Sequence, residues 1–234
     1  MPFQIIKTPD GYFVENIETR KRYSKNALTE AKAKRQFRII NKYLNTLEGS
    51  GLNKGQIKEI KQEPLTDLDI RKYFPNAKII SSSDIGNYNS IDELMPKEKE
   101  SIFVIYESKP NYGHWVLVSK YPPNVYEYFD SYGGKIDGPI KWVNKQKQEA
   151  LDLEPYLTNL LAKLKDKDVI YSSKNFQKVN DYIDISTCGR HCILRAMTIQ
   201  KDNQGLSDYI KMMNEIKKIT GYDYDEIVSG IINI

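Results

Sequence analysis

Two cysteines and two histidines are the whole supply of thiol and imidazole in this chain of 234 residues. Three of the four fall in one run, Thr187-Cys188-Gly189-Arg190-His191-Cys192, and the fourth lies well upstream in Gly113-His114-Trp115. A thiol becomes a strong nucleophile near neutral pH when a neighbouring base or positive field draws off its proton. Pairing one cysteine with one histidine is therefore the chemistry these residues can do. Cys188 is the better nucleophile. Ser186-Thr187 stands where helix N-caps occur, and a thiol in the first turn feels the positive end of the helix dipole, which favours thiolate. Gly189 lets the backbone pack closely, and the Cys188 N–H then points outward, where it can hold a developing oxyanion. Cys192 lies one turn deeper and reads as a small packing residue.

His114 opens a strand-like run after Asn111-Tyr112-Gly113, which places it at a strand mouth. His191 is its rival, three residues from Cys188 on the same helix. That i,i+3 geometry aligns a base with the thiol less well than a partner from a facing element does. His114 is the favoured base and His191 the alternative. A base needs an orienter, and Asp130, in Phe129-Asp130-Ser131, ends the strand expected to pair with the His114 strand. A tight turn at Pro122-Pro123-Asn124 brings both to one end of the sheet, where Asp130 can fix the imidazole tautomer; read alone, Asp130 is a turn aspartate before Tyr132-Gly133-Gly134. Gln177, before the nucleophile helix, can supply a second oxyanion donor. Cys188, His191 and Cys192 lack zinc-ligand spacing and a fourth partner, so no metal is expected.

The elements that must position these groups are legible in outline. Gly11–Glu15 reads as a strand and Leu28–Leu44 as a helix. Glu48-Gly49-Ser50-Gly51-Leu52 reads as a linker, dividing a basic N-terminal segment, 1–48, from a body, 49–234. Helices are expected around 54–74. Strands follow at Ser101–Glu107, His114–Tyr121 and Val125–Asp130, the last two antiparallel. Residues 146–165 read as a helix interrupted near Pro155, Asp168–Ser172 as a short strand, and 188–200, 206–219 and 223–232 as helices. The fold class is α+β, with a central, mostly antiparallel sheet and a buried helix carrying the cysteine at its N-terminus.

With 40% hydrophobic and 28% charged residues the composition is that of an ordinary globular chain. No apolar run approaches the roughly 18 residues that a membrane span needs. The first residues lack the apolar core of a secretory leader, and two cysteines four apart make no disulfide framework, so a reducing, non-secretory setting is expected. The net charge is +4, but residues 1–48 hold ten Lys/Arg against five Asp/Glu, while the remainder is close to neutral. The N-terminal segment can thus attract a polyanion such as DNA, or simply present a solvated helix face.

The order His114-Trp115, Asp130-Ser131, Gln177, Cys188-Gly189 resembles the adenovirus-type and ubiquitin-like-protein-specific cysteine peptidases of the papain-like superfamily. The wording Thr-Cys-Gly-Arg-His is most similar to the maturation proteases of large DNA viruses, virophages and Maverick/Polinton elements. The resemblance spans roughly residues 100–200, with a longer loop between Gln177 and Cys188 than that family usually carries. It implies a Cys188–His114–Asp130 triad with Gln177 at the oxyanion, and no cofactor. It implies cleavage of polypeptide substrates, capsid or other virion precursors, at Gly-X sites. It also implies a place in the virion and in host cytoplasm during assembly. The same machinery suits an isopeptidase that removes a ubiquitin-like modifier. A non-enzymatic DNA- or capsid-binding protein on a vestigial peptidase fold is the reading from another class.

Overall fold

Phe3–Thr8 (β1) and Gly11–Asn16 (β2) form an antiparallel ribbon, and the long helix Glu30–Gly49 (α1) follows from an N-cap at Thr29. The computed structural model describes residues 3–97, 100–109, 112–121, 125–164, 168–179 and 185–234. Glu48 and Gly49 are the last turn of α1, so the expected linker shrinks to a few residues around Gly51, which takes a left-handed φ of 64°. Lys54–Ile60 (α2) and Asp67–Tyr73 (α3) both start at capping boxes, Asn53 with Gln56 and Thr66 with Asp69. Such reciprocal bonds satisfy N–H groups that a short helix leaves open. Lys78–Ser81 (β3) and Ile91–Leu94 (α4) precede the long strands Glu100–Lys109 (β4) and Tyr112–Tyr121 (β5), then Val125–Phe129 (β6). Lys145–Ala150 (α5) and Tyr156–Ala162 (α6) flank the interruption at Pro155. Asp168–Tyr171 (β7), Cys188–Gln200 (α7), Leu206–Thr220 (α8) and Tyr224–Ile231 (α9) complete the chain.

The architecture is α+β, built on a five-stranded sheet of order β3-β4-β5-β6-β7. The sheet is mixed, a correction to the mostly antiparallel expectation. β4–β5 and β5–β6 are antiparallel, but the outer pairs β3–β4 and β6–β7 are parallel. The reason is connectivity. The outer strands reach their neighbours through crossovers carrying α4 on one side and α5 and α6 on the other, and a crossover returns the chain in the same direction. Pro122-Pro123-Asn124 lies outside the described residues, but the pairing of Tyr121 with Val125 brackets it closely.

Period-two alternation splits the strands between two cores. Phe103, Trp115, Leu117 and Phe129 pack with α7, α8 and α9, together with Phe3, Val14 and the apolar face of α1. Ile102, Val104, Tyr106, Val116, Val118, Tyr126 and Tyr128 pack on the other side with Leu157, Leu160 and Leu161 of α6. α7 is therefore enclosed by the sheet on one side and α9 on another. Eleven of its thirteen residues are buried. That explains a helix whose sequence shows no polar outer stripe.

Candidate active site

Gly113 starts the site. A Cβ at this position would lie 2.3 Å from the Tyr106 carbonyl oxygen across the β4–β5 pair, so only glycine lets the two strands close here. The next residue, His114, is thereby held at the strand mouth with its ring buried. The β5–β6 register, pairing Leu117 with Phe129, carries Asp130 to the same end of the sheet. His114 Nε2 meets Asp130 Oδ1 at 2.8 Å. A carboxylate can only accept, so Nε2 carries the proton and Nδ1 is left for a second partner. The same Asp130 oxygen accepts the Tyr132 N–H at 2.9 Å.

Cys188, the first residue of α7, lines the same cavity as His114, and its thiol is coupled to the imidazole. Burial by itself pushes this thiol up. The hydrogen bond to His114, the imidazolium charge and the N–H groups of Trp115 and Gly189 outweigh it, and the net direction is downward. Burial likewise pushes His114 down, but its bonds to Asp130 and Cys188 raise it to about 9. The two shifts are coupled, each group favouring the charged form of the other. Tyr132 stacks on the His114 ring at 4.9 Å between centroids, and Trp142 meets it edge-on at 5.1 Å. These rings screen the pair from water, and the stacked Tyr132 face favours the cationic ring.

Gln177 is brought to the same place by Ser131. The Phe176 and Gln177 N–H groups both donate to the Ser131 carbonyl at 2.8 Å, and Ser131 Oγ donates to Gln177 Oε1 at 2.7 Å. Gln177 Nε2 donates to the Ile185 carbonyl at 2.7 Å, which fixes the amide orientation and leaves one N–H over. Asn180 to Asp184 of the long loop lie outside the described residues. Gln177, His114, Trp115 and Cys188 line one cavity of about 310 Å³, walled by Leu65, Tyr112, Tyr132 and Trp142. Gly189 fits beneath Leu65 and Trp115, whose nearest atoms would stand 3.0 and 3.3 Å from an added Cβ. The Trp115 indole N–H donates to the Leu65 carbonyl at 2.9 Å, closing that wall.

The rival residues point elsewhere. His191 is fully buried, and its Nε2 meets Asp225 Oδ1 at 3.2 Å on the α9 side. Cys192 is fully buried and desolvation pushes its thiol well above the ordinary value. Thr187 holds the N-cap position of α7 without a side-chain cap bond, and its hydroxyl donates to Asp225 Oδ1 at 2.6 Å. Sequence reasoning did not single out Trp142, Tyr132, Asp225 or the part Ser131 plays. Ser131 alone had a signal, as the neighbour of Asp130. No group of three or more His, Cys, Asp or Glu residues able to hold a metal ion occurs among the described residues. Within them, no helix is long and apolar enough to cross a membrane.

No protein-family model matches the chain. Among solved structures it overlaps the central domain of the Lpg1148 protein from Legionella pneumophila, with 15% identity and a TM-score of 0.34 over 68% of this chain and 99% of that one. It overlaps AvrA delL154 with IP6 and CoA at 12% identity and 0.35, over 83% and 87%. It overlaps ChlaDub1 from Chlamydia trachomatis at 14% and 0.30, over 83% and 78%. Overlap at these scores carries no inference about fold or chemistry. In sequence the chain is 32% identical over 178 residues to the uncharacterized protein V9 of Sputnik virophage, covering 75% of this chain and 98% of that protein. The chain therefore belongs to the family of the virophage protein V9.

Proposed function

We propose that this protein is a cysteine-type endopeptidase that processes virion precursor proteins. Cys188 Sγ attacks the scissile carbonyl carbon as thiolate. The oxyanion that forms is held by the Cys188 N–H and the free N–H of Gln177 Nε2. His114 gives its proton to the leaving amine as the C–N bond breaks, leaving a thioester on Cys188. His114 then takes a proton from water, which attacks the thioester and releases the acid and the thiol. Asp130 keeps Nε2 protonated and the ring aligned. The observation that carries the reading is the run Cys188–His114–Asp130 at the wall of a cavity that also contains Gln177. The order of these residues, similar to that of adenovirus-type peptidases, supports it. Kinship with a virophage protein supports virion proteins as substrates.

The test is incubation of the purified protein with candidate virion proteins and with a fluorogenic Gly-Gly aminocoumarin peptide, followed by mass spectrometry of new termini. Cleavage is expected to vanish in Cys188→Ala and to survive in Cys192→Ala. Cleavage that persists unchanged in Cys188→Ala overturns the assignment. Covalent capture by a ubiquitin-like vinyl sulfone, with no cut in any virion protein, favours an isopeptidase on the same residues.

A further inference from the structure

Asp225, in the first turn of α9, is fully buried and gathers three donors from two segments, the start of α7 and the stretch after Gln177. Thr187 Oγ1 donates to Oδ1 at 2.6 Å and His191 Nε2 to the same oxygen at 3.2 Å, while the Lys178 backbone N–H donates to Oδ2 at 3.1 Å. Thr187 directly precedes Cys188, and Lys178 directly follows Gln177. One carboxylate thus ties the neighbour of the nucleophile to the neighbour of the glutamine, beside the bond from Gln177 Nε2 to the Ile185 carbonyl. A buried carboxylate is costly unless its oxygens are bonded. Here three donors bond both of its oxygens. The Thr187 hydroxyl makes no cap bond to its own helix, and its one donor is committed to Asp225.

We infer that Asp225 is a positioning residue that sets the distance between the two oxyanion donors, the Cys188 N–H and the Gln177 side chain. This rests on the cysteine-peptidase reading above. Asp225 touches neither the thiol nor His114, so its loss should disturb oxyanion binding and leave thiolate formation intact. An asparagine cannot replace it. One of its two polar ends is an NH₂, which cannot accept the Lys178 N–H if the oxygen serves Thr187 and His191.

The experiment compares kcat on the Gly-Gly aminocoumarin peptide with the rate of Cys188 alkylation by iodoacetamide across pH, a reaction that forms no oxyanion. For Asp225→Asn, kcat is expected to fall about tenfold to a hundredfold, short of the 10²–10³ that deleting a donor outright costs, with the alkylation profile unchanged. Thr187→Val, which is less disruptive to folding, should lower kcat in the same selective way, and Thr187→Ser should restore it. If alkylation falls in parallel with kcat, Asp225 is merely structural and the inference fails. It fails equally if both variants keep full kcat. An unmodified protein that alkylates at Cys188 yet hydrolyses neither peptide nor virion protein sinks the peptidase reading itself, and the role of Asp225 with it.

Discussion

Asp130→Asn tests the link between geometry and chemistry most directly, because it removes one charge and almost no volume. His114 is raised from 6.5 to about 9, although burial works against the charged ring. At about 1.4 kcal/mol per pH unit, this is about 3 kcal/mol in favour of imidazolium. The hydrogen bond that His114 donates to Asp130 is the largest of the upward contributions. The variant should therefore lose a substantial part of the gain, and His114 should move down by about one pH unit. The signs follow from the roles. Activity falls on the acid side as the Cys188 thiolate takes a proton, and on the alkaline side as His114 loses the proton it must give to the leaving group. In the unmodified protein the alkaline limb of kcat/KM should stand near 9, and the acid limb below the ordinary thiol value. In Asp130→Asn the alkaline limb should move down and the acid limb up, narrowing the bell from both sides. The plateau should drop by about 10²-fold or more, since the amide also disturbs the tautomer. The assay is kcat/KM against pH on the aminocoumarin peptide, with iodoacetamide alkylation reporting the acid limb alone. Cys192 stays silent in that readout because it is fully buried and its thiol is pushed up. Superimposable profiles for the two proteins would refute the pairing of His114 with Asp130 as the source of the shift.

Two further outcomes are expected. Gln177→Ala should cost about 10²–10³ in kcat while the Cys188 alkylation rate holds, and an equal loss in both would mean that the residue supports the loop rather than the oxyanion. Breaking the buried pair of Arg195 and Glu127 by Arg195→Ala should destabilise the fold by about 3–5 kcal/mol in urea unfolding, whereas replacing both by apolar residues of similar volume should recover most of that loss; a single variant as stable as the parent would show that the pair is hydrated in solution.

The elements that sequence made legible are those with long or well-punctuated patterns. α7 begins at Cys188 as expected, and α8, α9 and the three central strands fall within a residue or two of their anticipated bounds. β3 escaped because Lys78–Ser81 is only four residues of mixed character, and its strand state depends on parallel pairing with β4. The Gly-Ser stretch misled at Glu48 and Gly49 because a glycine penalty of about 1 kcal/mol is smaller than what α1 gains by packing on α9; Leu47 and Gly230 touch there. In the site, the residues legible in advance were those with short-range cues: a cysteine after a capping pair, a histidine after a glycine, an aspartate at a strand end. Asp225 and Trp142 carried no such cue. Their meaning lies in partners 38 and 28 positions away, Thr187 and His114, which only the folded chain brings near.

The polar residues buried along α7 belong to the same design. Apolar contact is non-directional, so aliphatic packing alone sets the position of a helix along its axis less sharply than bonds with a preferred length and angle do. A slide of one residue, about 1.5 Å, would take Cys188 out of reach of His114. α7 is held against this motion by three bonded charges or imidazoles. Arg195 meets Glu127 of β6 through two bonds of 2.6 Å, and Tyr121 backs the same carboxylate at 2.8 Å. Arg190 donates to the Glu63 and Ile232 carbonyls at 2.5 and 3.3 Å, tying the helix to the chain before α3 and to the end of α9. His191 reaches Asp225. Each bond has a preferred length and angle, so together they fix the helix in translation and rotation. The enclosed ion pair adds little to stability over apolar packing of the same volume. Its effect is on register, and register is what the thiol at the end of α7 requires.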